Sequence, residues 1–278
     1  MDDLDRVSAR VENRHMNQRW RIGRTSYRVP EEVIDPREYE VATLAGEREA
    51  KEFIRTHHHL KSTPPSRWRF GLFRRGVLVG VAVFSHPVND RSITNLFQIP
   101  VEDGVELGRL VLLDEVPGNG ESFFVARCFH NLKREGIAGV VSFADPVARM
   151  ASDGTIVAPG HIGTVYKALS GAYLGRSTPR ILRILPDGQV LSERTLQKLR
   201  AGERGTQALR ATLLHFGAPE ASFATAEALQ EVVRQLTRPL RHRGVHKYAW
   251  GFTPAVRKKM PRSLPYPDLA PLLQKPTI

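Results

Sequence analysis

The spacing of apolar residues divides the first half of the chain into short elements. Between residues 47 and 59, Ala50, Phe53 and Ile54 recur at helical spacing, which predicts a helix. Gly76 lies between two apolar stretches and supplies the turn of a hairpin. The pattern therefore predicts a helix over 47–59, strands over 68–73 and 77–84, and a polar connection over 89–104.

A strand, a glycine-containing turn and a helix follow one another in the middle of the chain. Residues 106–114 are strongly apolar, and Phe124 and Cys128 are spaced by four within 121–135, as on one face of a helix. A second apolar run, 138–143, is nearly continuous, which is typical of a strand buried on both faces. Two such strands are expected to lie parallel, joined by a right-handed crossover.

The last part of the chain is predicted to be mainly helical. The pattern gives a helix over 164–169, a strand over 180–185, helices over 192–200, 206–216 and 225–236, and a last strand over 247–252. No repeat of fixed period is present. Together the elements predict an α/β (α+β) fold in which helices flank a mixed central sheet.

The basic residues are concentrated at one end of the chain. Its 278 residues carry a formal net charge of +12. Residues 191–278 hold 15 Lys and Arg against 6 Asp and Glu, whereas residues 1–190 hold 26 against 23. Clustered cations favour a polyanionic partner through the release of counterions, but a solvated basic surface explains the same composition.

Several classes of protein are excluded by simple counts. The single cysteine, Cys128, cannot form an internal disulfide or a thiolate metal site. No apolar run approaches the roughly 18 residues that a membrane span needs. The first residues contain no apolar stretch of the signal-peptide type, so we expect an intracellular chain.

The turn after the first apolar strand is a candidate phosphate site. Two glycines and an asparagine can expose backbone N–H groups there, next to the N-terminus of a helix. The turn matches neither a Walker A loop nor the dinucleotide pattern, and an ordinary strand–helix loop remains the alternative. The candidate ligand-binding residues are Leu112, Val116, Gly118, Asn119, Gly120, Glu121 and Ser122.

Polar residues follow the second apolar strand. Ser142 and Asp145 lie at its carboxyl end, where open α/β sheets usually bind ligands. Asp145 is a candidate general base or metal ligand, and a structural Asx turn is the alternative. His161 and Tyr166 are further titratable candidates that could equally be structural.

The three adjacent histidines 57–59 do not form one metal face. Neighbouring residues on a helix point about 100° apart, so at most one or two of them face the same site. No Gly-x-Ser-x-Gly elbow is present, and Cys128 lies on an apolar helical face, so neither offers a nucleophile. The zinc-deaminase pattern is absent as well.

The order of the predicted elements resembles that of GNAT acyltransferases over residues 40–185 and near 247–252. Within that fold, the chain resembles the Mom-type DNA modification proteins of bacteriophages. The segments that carry the resemblance are His57-His-His-Leu60, Leu78-Val-Gly-Val-Ala-Val-Phe84, Glu106-Leu-Gly-Arg-Leu-Val-Leu112, Gly120-Glu-Ser-Phe-Phe124, Val140-Val-Ser-Phe-Ala-Asp-Pro146 and Gly163-Thr-Val-Tyr-Lys-Ala168.

The resemblance implies an enzyme that modifies the exocyclic N6 of adenine in phage DNA to N6-carbamoylmethyladenine, which shields the DNA from restriction endonucleases. It divides the chain into an Arg-rich arm (1–40), a catalytic core (41–190), a basic helical insertion (191–246), and a last strand with a basic, Pro-rich tail (247–278). Matched position by position, it assigns catalytic roles to His58, Arg109, Ser142, Asp145 and Tyr166, with His59 in place of a family tyrosine.

Two cofactors follow from the resemblance. The GNAT fold implies acetyl-CoA or a related acyl donor at the glycine turn, although Val116-Pro-Gly-Asn-Gly120 replaces the usual GNAT sequence there. Carbamoylmethylation forms an N–C(sp3) bond, which acyl transfer from a thioester does not provide. The second expectation is therefore iron, held by His58 and a carboxylate such as Asp145 or a phenolate.

Double-stranded DNA is the partner that the resemblance implies. The N6 amine is paired with thymine, so the base would be flipped into the cleft at a cost of about a few kcal/mol. We expect Arg238, Arg241, Arg243 and Lys247 to bind the DNA backbone.

Other functions and states stay open at this stage. The alternatives are an acetyl-CoA-dependent N-acetyltransferase for a small amine or protein, an enzyme for another DNA base, and an inert DNA-binding module. We expect the protein in the host cytoplasm and leave a homodimer open.

Overall fold

A mixed sheet of seven strands organises the larger of two compact units. The computed structural model describes residues 17–21, 24–28, 32–58, 60–158 and 160–268. Numbered along the chain, its strands are β1 (Asn17–Arg21), β2 (Arg24–Arg28), β3 (Tyr39–Thr43), β4 (Ser66–Arg74), β5 (Val77–Ser85), β6 (Gly104–Leu112), β7 (Gly139–Ala144), β8 (Arg149–Met150), β9 (Ile156–Ala158), β10 (Ala172–Arg176), β11 (Arg180–Ile184), β12 (Arg238–His242) and β13 (His246–Gly251). The central sheet has the order β10-β13-β7-β6-β5-β4-β3.

Eight α-helices occur in the described ranges. They are α1 (Glu47–His57), α2 (Arg91–Phe97), α3 (Gly120–Arg134), α4 (Thr164–Ala168), α5 (Glu193–Arg200), α6 (Gln207–His215), α7 (Ala226–Leu236) and α8 (Pro254–Lys259). None of these is long and apolar enough to cross a membrane.

The parallel strand–helix–strand unit predicted from the sequence is present. β6 and β7 pair in parallel and are connected through α3, whereas the other neighbours in the sheet pair antiparallel. The order α1, β4–β5 hairpin, β6, α3, β7, α4, β10 is the order expected of a GNAT-like fold. The α/β prediction is thus confirmed.

Helices cover both faces of the sheet, because the central strands are apolar on both sides. Phe124 and Cys128 of α3 are fully buried in the main core cluster. Ala50 and Ile54 of α1 are fully buried in a second cluster, together with Val81 of β5. Each buried large side chain contributes roughly 1.5–3 kcal/mol, so the two layers hold the central strands in place from both sides.

The smaller unit comprises residues 147–159 and 178–244. Its helices α5, α6 and α7 enclose a separate apolar cluster that includes Leu196, Leu213 and Val233. Ser192 and Thr225 are the N-cap residues of α5 and α7. Their hydroxyls accept hydrogen bonds from N–H groups of the first turn. The predicted helices at 192–200, 206–216 and 225–236 are confirmed, with no bound shifted by more than one residue.

Four elements differ in kind or in pairing from what the sequence pattern indicated. The connection 89–104 contains α2, and its buried residues Ile93 and Phe97 tie it to the core. Strand 180–184 lies outside the central sheet and pairs with β12 in a two-stranded ribbon. The outer strand of the sheet is instead β10, which the sequence pattern did not indicate. The region after residue 253 contains the short helix α8.

Candidate active site

The candidate active site lies where β6 and β7 part from each other. The two strands pair from Gly104 opposite Gly139 to Leu107 opposite Ser142, and there the pairing ends although β6 continues to Leu112. Ser142 lies at this point, and its hydroxyl donates to the Leu107 carbonyl at 3.0 Å. The strands thus open a cleft at their carboxyl ends, the position predicted for a ligand site.

A bulge at Gly108 sets which side chains of β6 enter this cleft. Gly108 has no partner on β5, since Arg109 and Leu107 pair with consecutive residues of that strand. The extra residue interrupts the alternation of side chains, and Glu106 and Arg109 are close enough to shift each other's pKa. A Cβ at position 108 would lie 3.0 Å from Pro64 Cγ. Because this contact is tight, glycine is favoured at the bulge.

His58 enters the site as a neutral hydrogen-bond donor. It follows the last residue of α1, and its Nδ1 accepts from the Leu60 N–H at 3.1 Å. A neutral ring that accepts at Nδ1 carries its proton on Nε2. Burial, together with the nearby Arg109 and His161, lowers the pKa of His58 to about 3. At neutral pH His58 therefore donates through Nε2–H rather than accepting a proton there.

The two neighbouring histidines have different places. The ring of His57 lies 4.7 Å from that of Phe53 on α1. His59, which stands in place of the family tyrosine, lies outside the described residues. Of the triplet, His58 is the residue that the structure places beside Arg109 and His161.

Arg109 is held rigidly at the mouth of the cleft. Its Nε donates to the Ser62 carbonyl at 2.7 Å, its Nη2 to the Ser62 hydroxyl at 3.2 Å, and its Nη1 to the Gly108 carbonyl at 2.6 Å. Burial lowers the pKa of Arg109, but guanidinium groups stay charged at neutral pH. Arg109 thus supplies a fixed positive charge.

Glu106 is a site residue that the sequence analysis missed. Burial raises the pKa of its carboxyl, while the Val88 N–H, 3.4 Å from Oε2, and Arg109 act in the opposite direction. Glu106 is also near enough to Tyr166 to raise the pKa of that phenol. A carboxyl group with a raised pKa beside a fixed cation is typical of a functional site.

Tyr166 reaches the cleft from α4. Burial raises the pKa of its phenol, and the nearby Ser142 hydroxyl acts in the opposite direction. Gly163, with φ of +83°, precedes α4, and a Cβ there would lie 2.6 Å from the Tyr166 ring. Ser142 and Tyr166 therefore lie close to each other at the point where the strands part.

A second polar group lies at the end of β7. The Asp145 carbonyl accepts from the His161 N–H at 2.7 Å, and the Asp145 carboxylate acts to raise the pKa of both His161 and His246. Burial outweighs this and lowers the pKa of both histidines, that of His246 to about 4. His246 Nδ1 lies 2.8 Å from the Tyr173 hydroxyl. Asp145 thus lies near two imidazoles that are neutral at neutral pH.

The glycine turn is bonded to a segment that precedes the core. Gly118 N–H donates to the Glu32 carboxylate at 3.2 Å, and the Ile34 N–H donates to Asn119 Oδ1 at 2.8 Å. Val116 N–H and Gly120 N–H are bonded to carbonyls within the turn. The remaining predicted turn residues, Leu112, Glu121 and Ser122, flank these groups on β6 and α3.

The turn therefore does not offer an open pyrophosphate cradle in this arrangement. The Gly118 amide that would face a phosphate already has a carboxylate partner, as expected near the N-terminus of a helix. A pyrophosphate that bound the Gly118 amide would have to displace the Glu32 carboxylate.

The side chains do not fit the expected iron site. Among the described residues, no group of three or more His, Cys, Asp or Glu is arranged to hold a metal ion. His58 Nδ1, moreover, is engaged with the Leu60 N–H. The iron hypothesis has no support in the structure.

The residues predicted to bind DNA lie on two elements. Arg238 and Arg241 are exposed on β12, and the exposed Arg243 follows them. Arg238 Nη2 donates to the Met150 carbonyl at 3.0 Å. Lys247 belongs to the central sheet, half-buried on β13 opposite Phe143. Three of the four cations are therefore solvent-accessible.

The chain is similar to known proteins in sequence and in fold. The model of the Mom protein family matches residues 38–225, about two thirds of the 278 residues. Among curated proteins none has a matching sequence. Similar solved structures include the ribosomal-protein-S18-alanine N-acetyltransferase from Escherichia coli (12% identity, TM-score 0.34, 55% of this chain and 88% of that chain) and an agmatine N-acetyltransferase (10% identity, TM-score 0.39, 77% of this chain and 100% of that chain).

Proposed function

Because the chain belongs to the Mom protein family, we propose that it is a transferase that adds a small, carbamoylmethyl-like group to the exocyclic N6 of adenine in DNA. The family match, rather than any single contact, carries this proposal. The product would protect phage DNA from restriction endonucleases, as the family resemblance implies.

The cleft between β6 and β7 has the groups that this chemistry needs. The N6 amine is conjugated with the purine ring and is a weak nucleophile, so transfer requires a base for its proton. Glu106 suits that role because its raised pKa brings it closer to neutral pH. Asp145, the base expected from the family, lies at the end of the adjacent strand.

Three donors complement this base. His58 presents Nε2–H, Arg109 a fixed guanidinium and Tyr166 a phenolic hydroxyl. Hydrogen-bond donors held in place before the reaction stabilise negative charge that develops on a substrate oxygen or on a leaving group. In the proposed step, the N6–C bond forms, the donor's leaving group departs with its electron pair, and the amine proton passes to a carboxylate.

Double-stranded DNA is the proposed partner. The net charge of +12 and the exposed arginines after residue 191 support a polyanionic substrate. An adenine in a duplex would have to leave the base stack to reach a cleft at the ends of two buried strands.

Nucleoside mass spectrometry tests the proposal. Plasmid DNA from cells that express the protein should contain a deoxyadenosine of increased mass, and Asp145→Ala and Glu106→Gln should lower its amount. Asp153→Ala is the matched control, because Asp153 is an exposed carboxylate of the smaller unit. A modified base other than adenine would revise the substrate. Unmodified DNA together with acetyl transfer to a small amine or protein would favour an N-acetyltransferase instead.

A further inference from the structure

The ribbon formed by β11 and β12 is distinct from the central sheet. Five residue pairs join the two strands in antiparallel register, from Arg180 opposite His242 to Ile184 opposite Arg238. Both strands belong to the smaller unit. Directly opposed residues project to the same side of such a ribbon, and the sides alternate along it.

The two sides of the ribbon differ in burial, although Arg180 and Arg238, at the ends of the more buried side, are exposed. Ile184 and His242, which share a side, are 1% and 0% exposed. On the opposite side, Ile181 is 71% exposed, although isoleucine is among the residues most often buried. Its cross-strand partner Arg241 is exposed as well.

The solvent-facing side combines this apolar group with cations. Its four residues are the exposed Ile181, Pro239 and Arg241 and the half-buried Arg183. Neither arginine forms an ion pair within the part of the chain that the structure describes. The ten residues of the two strands include four arginines and no aspartate or glutamate. A basic surface that only keeps the protein solvated does not require an exposed isoleucine beside two arginines. The combination therefore favours a binding surface.

We propose that the solvent-facing side of the β11–β12 ribbon enters the major groove of duplex DNA. The proposal rests on the proposed function for its choice of partner. The major groove, about 12 Å wide, admits a two-stranded ribbon. Arg183 and Arg241 contact phosphates, and Ile181 contacts base edges such as the thymine methyl group. Pro239 has no backbone N–H, so the edge of the ribbon offers no hydrogen-bond donor to a further strand at that position.

The electrostatic part of the proposal is tested by the salt dependence of duplex binding. Fluorescence anisotropy with a labelled 30-base-pair duplex, over a range of salt concentrations, gives the slope of log affinity against log salt. Arg183→Ala with Arg241→Ala should reduce that slope by roughly 1.8, about 0.9 for each lost phosphate contact. The control is Arg194→Ala with Arg204→Ala, which removes two exposed charges of the same unit away from the ribbon. Equal effects of the two double variants would overturn the proposal.

The apolar part is tested by Ile181→Ser. This variant should bind duplex DNA several-fold more weakly with an unchanged salt slope, because it removes no charge. Ile156→Ser, at a position 43% exposed on β9 of the same unit, should bind as the unchanged protein does. Equal affinity of the two serine variants would contradict groove entry, and so would tighter binding to single-stranded DNA or to duplex RNA.

Nucleoside mass spectrometry on the same variants separates this proposal from the proposed function. A chain that binds duplex DNA through the ribbon but modifies no base would retain the ribbon proposal and reject the function. If the protein modifies DNA and the ribbon variants bind duplex DNA as tightly as the unchanged protein does, the proposed function is retained and the ribbon proposal is rejected.

Discussion

At the scale of single residues, the bulge at Gly108 decides which side chains of β6 meet in the cleft. A regular strand would alternate its side chains, so that Glu106 and Arg109 would face opposite sides. With Gly108 inserted, the carboxyl and the guanidinium act on each other. The cleft thereby gains a base and a fixed cation from one short segment.

A Glu106→Gln substitution should remove the base while keeping the shape of the side chain. If Glu106 accepts the amine proton, the turnover rate of DNA modification should fall by roughly 10²- to 10⁴-fold. In the unchanged protein the rate should decline as the pH falls through the raised pKa of this carboxyl, and the variant should lose that decline. Initial rates of modified deoxyadenosine formation across pH measure both effects.

Glu102→Gln provides the control for this variant. Glu102 is an exposed carboxylate two residues before β6, and its substitution should leave the rate and the pH profile unchanged. A Glu106→Gln enzyme that kept the pH profile of the unchanged protein would assign the proton transfer elsewhere, with Asp145 as the next candidate.

Much of the site is predictable from sequence at this scale, and the exceptions have a physical reason. Ser142 and Asp145 stand out because they follow an apolar run at the carboxyl end of a strand. Glu106 does not stand out, since it is the first residue of a predicted apolar strand and nothing but a glycine marks the bulge. His246 is equally inconspicuous, because its burial depends on strands distant in sequence.

At the scale of elements, the long apolar strands were predictable and the short polar ones were not. The strands that became β6 and β7 are apolar over most of their length, so local pattern suffices. β12 contains a proline and two arginines, which argue against a strand, and it exists because β11 pairs with it. Helix α2 is only two turns long and is preceded by polar residues.

The start of α4 offers a test of how an element positions a site residue. Gly163→Ala should lower the free energy of unfolding by about 1–3 kcal/mol more than Gly136→Ala. Both glycines have φ near +84°, so both variants carry the same left-handed strain. Only at Gly163 would the new methyl group clash, at 2.6 Å from Tyr166 and 2.8 Å from Tyr248, whereas Gly136 has open space. Urea denaturation measures the difference, and equal losses would show that Gly163 does not position Tyr166 through packing.

At the scale of the whole molecule, chain order and charge together limit what the sequence can predict. Arg180–Ile184 has the pattern of a strand, but pattern alone does not say which strand it pairs with, and it lies outside the central sheet. The concentration of cations after residue 191 was visible in composition. Their division between β12 in the smaller unit and β13 in the central sheet depends on tertiary pairing.

The response of the molecule to acid follows from its buried neutral histidines. The pKa of His58 is lowered to about 3 and that of His246 to about 4, whereas an unfolded histidine has a pKa of about 6.5. Between these limits the unfolded chain binds more protons than the folded one. The free energy of unfolding should therefore fall as the pH is lowered from about 6.5 toward 4, and these two groups should contribute no slope above about 6.5.

Urea denaturation at several pH values between 7.5 and 5 measures this slope, and His246→Gln isolates one of its sources. The free energy of unfolding of this variant should fall less steeply as the pH is lowered, because its buried side chain does not titrate. The change in slope corresponds to up to about one bound proton. His86→Gln, at an exposed position, is the matched control and should keep the slope of the unchanged protein. Since all other titrating groups are common to the three chains, identical slopes would mean that His246 is protonated as readily in the folded state as in the unfolded state. That result would remove the physical basis for a neutral imidazole at His246 near Asp145.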